Sequence, residues 1–262
     1  MSKVNLYVNT TKDAAKVLSD KVLRQLLTHG HQITERCADA DIVIGFGGDG
    51  TLLQFLRDNN YTVSAKYIGV NCGTLGFLQD FEVWDEALFV YSIPSLCEQF
   101  LRFIKIQIDT GREILNFEGL NEISVEEEKA KTYRACMRID DEVLQDFVGT
   151  GIIFSTPTGS TAHNLSAGGC ILHSNLEVIQ ITPREAIVNK EMHSLAKSLC
   201  VPSTSEIVLQ PKLNGNIKVF SDGEQVYAGI YKEAKICYSD GGLTKLRSQT
   251  DNFIRTIREK LI

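Results

Sequence analysis

Apolar and polar residues alternate from Lys3 to Val8, which predicts a strand. From Lys12 to Thr28 the apolar positions Ala15, Val17, Leu18, Val22, Leu23, Leu26 and Leu27 recur at helical spacing, and Gly30 ends the run. A compact apolar stretch at Asp41–Gly45 then enters a glycine turn. A helix is expected from about Thr51 to Arg57, a strand at Lys66–Val70 and a helical stretch near Trp84–Phe103. This βαβα order predicts a parallel sheet covered by helices.

From about Ile104 to Tyr238 the texture changes to short strands separated by turn residues. They are expected at Ile104–Ile108, Asn121–Glu126, Tyr133–Ile139, Gly151–Phe154, Glu206–Leu209, Ile217–Phe220 and Lys235–Tyr238, which suggests a second, antiparallel β-rich domain. Leu243–Ile262 regains helical spacing through Phe253, Ile254, Ile257 and Leu261, and is expected to pack on the first domain. The expected organisation is therefore residues 1–103 with 243–262 as an α/β domain, and 104–242 as a β-rich one. The boundary rests on the change of periodicity alone.

Composition narrows the class. Of 262 residues, 43% are apolar and 23% charged, as in ordinary globular chains. No run approaches the ~18 apolar residues of a membrane-spanning helix, and the opening MSKVNLYVNTTKD lacks the apolar core of a secretory signal, so a cytoplasmic location is expected. The net charge of −6, without a basic run, opposes nucleic-acid binding. It also requires that a bound nucleotide have its charge met locally. Cys37, Cys72, Cys97, Cys136, Cys170, Cys200 and Cys237 form no C-x-x-C pair and read as buried thiols in a reducing compartment. His29, His31, His173 and His193 show no metal-ligand spacing, and Glu126–Glu128 reads as a solvated turn.

Two runs carry candidate chemistry. In Ile42-Val-Ile-Gly-Phe-Gly-Gly-Asp-Gly-Thr51 an apolar strand feeds a glycine-dense turn, the position at which open α/β sheets bind ligands. Gly47, Gly48 and Gly50 allow backbone N–H groups to approach phosphate oxygens, although neither the P-loop nor the G-x-G-x-x-G spacing is present. Asp49 would repel a phosphate unless it held a divalent cation such as Mg²⁺ or took the proton of an attacking hydroxyl. The second run, Ser155 to Gly169, offers hydroxyls at Ser155, Thr156, Thr158, Ser160, Thr161 and Ser166, and the segment from Ser160 could open a short anion-favouring helix. An N-capped helix after a loop would explain one or two of these hydroxyls but not six.

GGDGT at Gly47–Thr51, NCGTLGFL at Asn71–Leu78, LNEISV at Leu120–Val125, TPTGSTAHNLSAGG at Thr156–Gly169 and SDGE at Ser221–Glu224 together resemble the motif series of NAD kinases, in that family's order. GGDGT alone would be shared with diacylglycerol and sphingosine kinases. The resemblance implies a Rossmann-like N-terminal domain, a β-rich, sandwich-like C-terminal domain and an NAD-binding cleft between them. It implies transfer of the terminal phosphoryl group of ATP, or of polyphosphate, to the adenosine ribose 2′-hydroxyl of NAD, with Mg²⁺ or another divalent cation.

By the same resemblance Asp49 is the base for that hydroxyl, and Gly48, Gly50 and Thr51 form the phosphate loop. Phe77 lies beside the nucleotide, Asn121 and Glu122 contact NAD, and Thr161, Ala162, His163, Asn164 and Ser166 surround the adenosine, with Asp222 nearby. Phe77 could equally be core, and Glu122 or Asp222 could hold a turn. Family members usually carry Gly-Asp-Gly where this chain has Gly149-Thr150-Gly151, and tyrosine at His163, departures that bear on NAD affinity and on NAD versus NADH preference. A homodimer or homotetramer is implied. A lipid kinase sharing the GGDGT loop and a non-catalytic dinucleotide sensor are the competing readings.

Overall fold

The computed structural model describes residues 1–73, 76–128, 132–189, 194–212, 216–248 and 253–262. His193 and part of the 71–78 motif lie outside these residues. Two compact units are formed, Met1–Leu101 with Gly241–Ile262, and Arg102–Asp240.

The first unit opens with strand β1 (Lys3–Val8), helix α1 (Asp13–Thr28), the short β2 (Gln32–Ile33) and β3 (Ile42–Gly47). Helix α2 (Asp49–Asp58), β4 (Lys66–Asn71) and α3 (Glu86–Ser92) follow, and the chain leaves along β5 (Cys97–Asp109). Strands β2, β1, β3 and β4 lie side by side and parallel. Every residue of β3 is buried, as in a central parallel strand covered on both faces, and this is why its sequence is a continuous apolar run. Helix α1 buries Ala15, Ser19, Val22 and Leu26 on one stripe, while Val17 and Leu27 face solvent. Helix α2 buries Thr51, Leu52, Phe55 and Leu56, each large apolar side chain contributing ~1.5–3 kcal/mol.

The stretch expected to be helical near 84–103 divides: α3 ends at Ser92, a single 3₁₀ turn spans Ile93–Ser95 around Pro94, and β5 begins at Cys97. Pro94 removes a backbone donor and stops the α-helix, leaving the following residues to a strand.

The second unit continues with β6 (Ile114–Gly119), β7 (Glu122–Glu127), β8 (Tyr133–Ile139), β9 (Glu142–Gly149) and β10 (Gly151–Ser155). A 3₁₀ turn (Thr158–Thr161) and the one-turn helix α4 (His163–Ser166) precede β11 (Val178–Arg184), β12 (Leu199–Pro202), β13 (Ile207–Pro211), β14 (Asn216–Ser221), β15 (Glu224–Ile230) and β16 (Glu233–Arg247). One sheet has the order β12-β11-β10-β7-β14-β15. In the other, β8 pairs with β9 and β13, β13 with β16, and β5 with β6, all antiparallel. Inward residues at period two, such as Ile104, Ile106 and Ile108 or Tyr133, Ala135 and Met137, meet Ile123, Val125, Ile152 and Phe154 of the opposite sheet in one core.

Strand β16 runs on to Arg247 and places Lys245 parallel to Tyr67 of β4, so helix was wrongly expected from Leu243. The helical part, α5, spans Phe253–Leu261. The tertiary pairing of Lys245 with Tyr67 of β4 overrides a weak local preference. Glu126 and Glu127 belong to β7, where Glu126 pairs with Arg184, instead of forming a turn. No cysteine is buried: Cys97, Cys170 and Cys200 are exposed and the other four intermediate, because these thiols fall outside the inward-facing positions.

Candidate active site

Strands β3 and β4 end side by side at Gly47 and Asn71, and the turn after β3 opens α2 with Asp49 as its first residue. The N–H of Gly48 donates to Thr51 Oγ1 (3.2 Å) and the N–H of Thr51 to the Gly48 carbonyl (2.9 Å), a reciprocal cap that fixes the turn. Thr51 is buried, so its hydroxyl serves the cap. Gln79 donates from Nε2 to the Gly48 carbonyl at 2.9 Å.

Asp49 spans the turn to the segment after β4. Its Oδ2 accepts the N–H of Phe77 at 2.9 Å and its Oδ1 the N–H of Leu78 at 3.0 Å. Gly76 allows this approach, since a Cβ there would lie 2.1 Å from Oδ1. Lys260 of α5 brings its Nζ to 3.8 Å from Asp49 Oδ2 and to 5.0 Å from the centre of the Phe77 ring. Phe77 is thus half-buried beneath a cation. With about four lone-pair directions on a carboxylate, two backbone bonds leave Asp49 able to accept a hydroxyl proton.

In the second unit Asp222 and Gly223 have positive φ (46° and 82°) and form the two-residue hairpin turn between β14 and β15, the reason for Ser-Asp-Gly-Glu at this place. The Asp222 carboxylate accepts the N–H groups of Leu120 (2.8 Å), Asn121 (2.7 Å) and Glu122 (3.2 Å). It therefore braces the start of β7. The bracing presents two buried side chains with orphaned atoms, Asn121 Oδ1 and Glu122 Oε2. Both atoms keep an acceptor or donor position that a ligand could fill. Burial, and next the charge of Asp222, push the Glu122 carboxyl up to about 8, so near neutrality it is largely protonated and able to donate.

The hydroxyl-rich run divides by role. Ser155 Oγ donates to the Thr156 carbonyl (2.9 Å) and Thr156 Oγ1 to that of Leu120 (2.7 Å). Ser160 Oγ donates to the Pro157 carbonyl (2.7 Å) and accepts the N–H of Leu172 (2.9 Å). Three of the six hydroxyls therefore tie the loop together, and neither the 3₁₀ turn nor α4 is capped by a side chain. Thr158, Thr161 and Ser166 make no side-chain hydrogen bond among the described residues, which leaves them available to a ligand.

Asn164 is fully buried, donating to Gln180 Oε1 (3.1 Å) and accepting from Thr182 Oγ1 (2.7 Å), so it anchors α4 to β11. Ala162 is half-buried before α4 and His163 is exposed at its start. Partial desolvation, then Arg184, push the His163 imidazole below its usual range, with Glu126 opposing. Thr150 Oγ1 donates to the Arg184 carbonyl at 3.3 Å. Gly50 is exposed on the first turn of α2. Lys260 and Gln79 belong to no motif, and no local signal in the sequence marks them.

The chain thus joins a parallel-sheet unit that ends in a Gly-Gly-Asp-Gly-Thr turn to a β-rich unit of two sheets. The family described as ATP-NAD kinase C-terminal domain matches residues 120–241. The NAD kinase of Leuconostoc mesenteroides subsp. mesenteroides is 32% identical over 258 residues, covering 97% of this chain and 96% of that protein. Among solved structures, yeast NADH kinase complexed with NADH has a TM-score of 0.87 at 18% identity, covering 100% of this chain and 87% of that one. The NAD kinase of Archaeoglobus fulgidus in complex with ATP has a TM-score of 0.77 at 19% identity, covering 98% of each chain. The chain belongs to the NAD kinase family and is a phosphotransferase. No helix among the described residues is long and apolar enough to cross a membrane.

Proposed function

We propose that the chain transfers the terminal phosphoryl group of ATP to the adenosine ribose 2′-hydroxyl of NAD, giving NADP, with Asp49 as the base. The observation that carries this reading is the carboxylate of Asp49, held by two backbone N–H groups within the glycine turn at the ends of β3 and β4. Phosphoryl transfer asks mainly for positioning and charge, with one oriented proton acceptor. The N–H groups of Asp49 and Gly50, at the start of α2, have no intrahelical acceptor and suit the donor phosphates. In the second unit Asn121 Oδ1 and Glu122 Oε2 would complete their bonding on NAD, with Thr161, Ala162, His163 and Ser166 against the adenosine.

ATP-using kinases generally need a divalent cation, and Mg²⁺ here would neutralise charge on the donor phosphates. Mg²⁺ characteristically uses one or two carboxylates plus phosphate oxygens. Cytoplasmic location and a dimer or tetramer in which a second subunit contributes to the NAD pocket belong to the same proposal. Sedimentation showing only monomer at micromolar concentration would count against the assembly. The activity is tested by coupling NADP formation to an NADP-specific dehydrogenase, with ATP, polyphosphate and NADH as alternatives and diacylglycerol in parallel. Turnover of lipid without turnover of NAD would overturn it.

A further inference from the structure

Lys12 immediately precedes α1, and its main chain is fully occupied. Its N–H donates to the Asn9 carbonyl (3.1 Å), and its own carbonyl accepts from Ala15 (3.1 Å) and Lys16 (3.3 Å). Its side chain takes no part in capping the helix. The ammonium is directed instead toward the glycine turns at the ends of β3 and β4. A Cβ at Gly73 would lie 2.8 Å from Lys12 Nζ, and one at Gly48 3.8 Å from it. The charge is felt at the adjacent Cys72 thiol, where it opposes the upward push of burial.

Lys12 is half-buried, and among the described residues its ammonium has neither a hydrogen-bond nor an ion-pair partner. The one carboxylate of the turn, Asp49, is engaged by Phe77, Leu78 and Lys260. A partly desolvated cation without a counter-ion is unfavourable until an anion completes it. The missing side chains at Gly48 and Gly73 leave room for one. Lysine suits a phosphate chain because its ammonium is a compact point charge that imposes no planar geometry.

We propose that Lys12 is a donor-binding residue whose ammonium pairs with the phosphate chain of ATP at the glycine turn. This rests on the reading that residues 47–51 seat the donor. It adds an anchor that recognises the polyphosphate part of the donor and is indifferent to the base.

The test is steady-state kinetics of the full chain carrying Lys12→Met, Lys12→Arg or Gly73→Ala, with inorganic tripolyphosphate as an inhibitor competing with ATP. Loss of a charged hydrogen bond corresponds to about 10–100-fold in affinity. Lys12→Met is expected to raise KM for ATP and Ki for tripolyphosphate by that factor, leave KM for NAD within about twofold, and leave the ligand-free melting temperature unchanged. Lys12→Arg restores most of the loss. Gly73→Ala produces a smaller ATP defect, because its methyl group displaces the flexible end of Lys12.

Unchanged ATP and tripolyphosphate constants in Lys12→Met would overturn the assignment, as would equal loss toward ATP and NAD or a lowered melting temperature. Asp49→Asn separates the two readings. If it loses turnover while Lys12→Met is silent, only the Lys12 assignment fails; if both are silent, the donor seat itself is misplaced.

Discussion

Replacing Asp49 by Asn preserves the side chain's shape, removes its charge and converts one acceptor oxygen into an NH₂ donor. The carboxylate now serves the N–H groups of Phe77 and Leu78, one on each oxygen. An amide can accept only one of them, and the other N–H then faces a donor, at a cost of about 1–3 kcal/mol. The nearby Lys260 also loses its counter-charge, worth up to about 1 kcal/mol for a pair this open to solvent. At roughly 2–4 °C per kcal/mol for a chain of this size, the melting temperature should fall by several degrees. Loss of the base should lower kcat by ~10²–10⁴-fold. NADP formation is therefore measured well below the melting transition, where the variant is folded, and NAD affinity separately by titration. A near-normal kcat would refute the reasoning. The base would then be sought first at Glu122 or Asp222, although the first is largely protonated near neutrality and the second is engaged by three backbone donors.

Thr161→Val removes a hydroxyl without a partner among the described residues, so stability should hold while KM for NAD rises more than kcat falls, by the ~1–3 kcal/mol of a lost ligand bond; equal loss of kcat and kcat/KM at unchanged NAD affinity would put Thr161 at the reacting phosphoryl group. The Glu122 carboxyl, held near 8 when folded and at an ordinary ~4.3 when unfolded, keeps its proton longer in the folded chain. Its contribution to stability is present below about pH 4 and lost as pH rises toward 8, so denaturant titrations should show Glu122→Gln losing that slope; identical pH profiles would refute it. Because burial and Arg184 lower the His163 pKa, NAD affinity should be flat from pH 7 to 8 and change below about 6.5 in the wild type but not in His163→Tyr; matching profiles would remove His163 from the ligand.

Much of the fold was legible because period and burial coincide in it. Strand β3 reads as a parallel core strand, β8 has the expected bounds Tyr133–Ile139, and α1 begins one residue after its expected start. Strands β9 and β15 are not legible in the sequence because their residues are largely exposed or half-exposed, with little apolar alternation. Residues 97–103 and 243–247 show apolar spacing compatible with a helix yet form strands, since pairing partners far along the chain decide between the two.

The sequence by itself determined the glycine-rich turn, the Asp-Gly hairpin and the hydroxyl-rich loop, because each depends on residues adjacent in the chain whose backbone preferences are local. It could not apportion their roles. Only the tertiary structure decided that Asp222 braces residues 120–122, that Asn164 lies buried on Gln180 and Thr182, and that Thr158, Thr161 and Ser166 make no side-chain hydrogen bond among the described residues. It alone brought Lys12 and Lys260 to the turn that holds Asp49. The physical reason is that hydrogen bonding and charge act through space, over a few ångströms, between groups that the chain separates by tens to hundreds of residues.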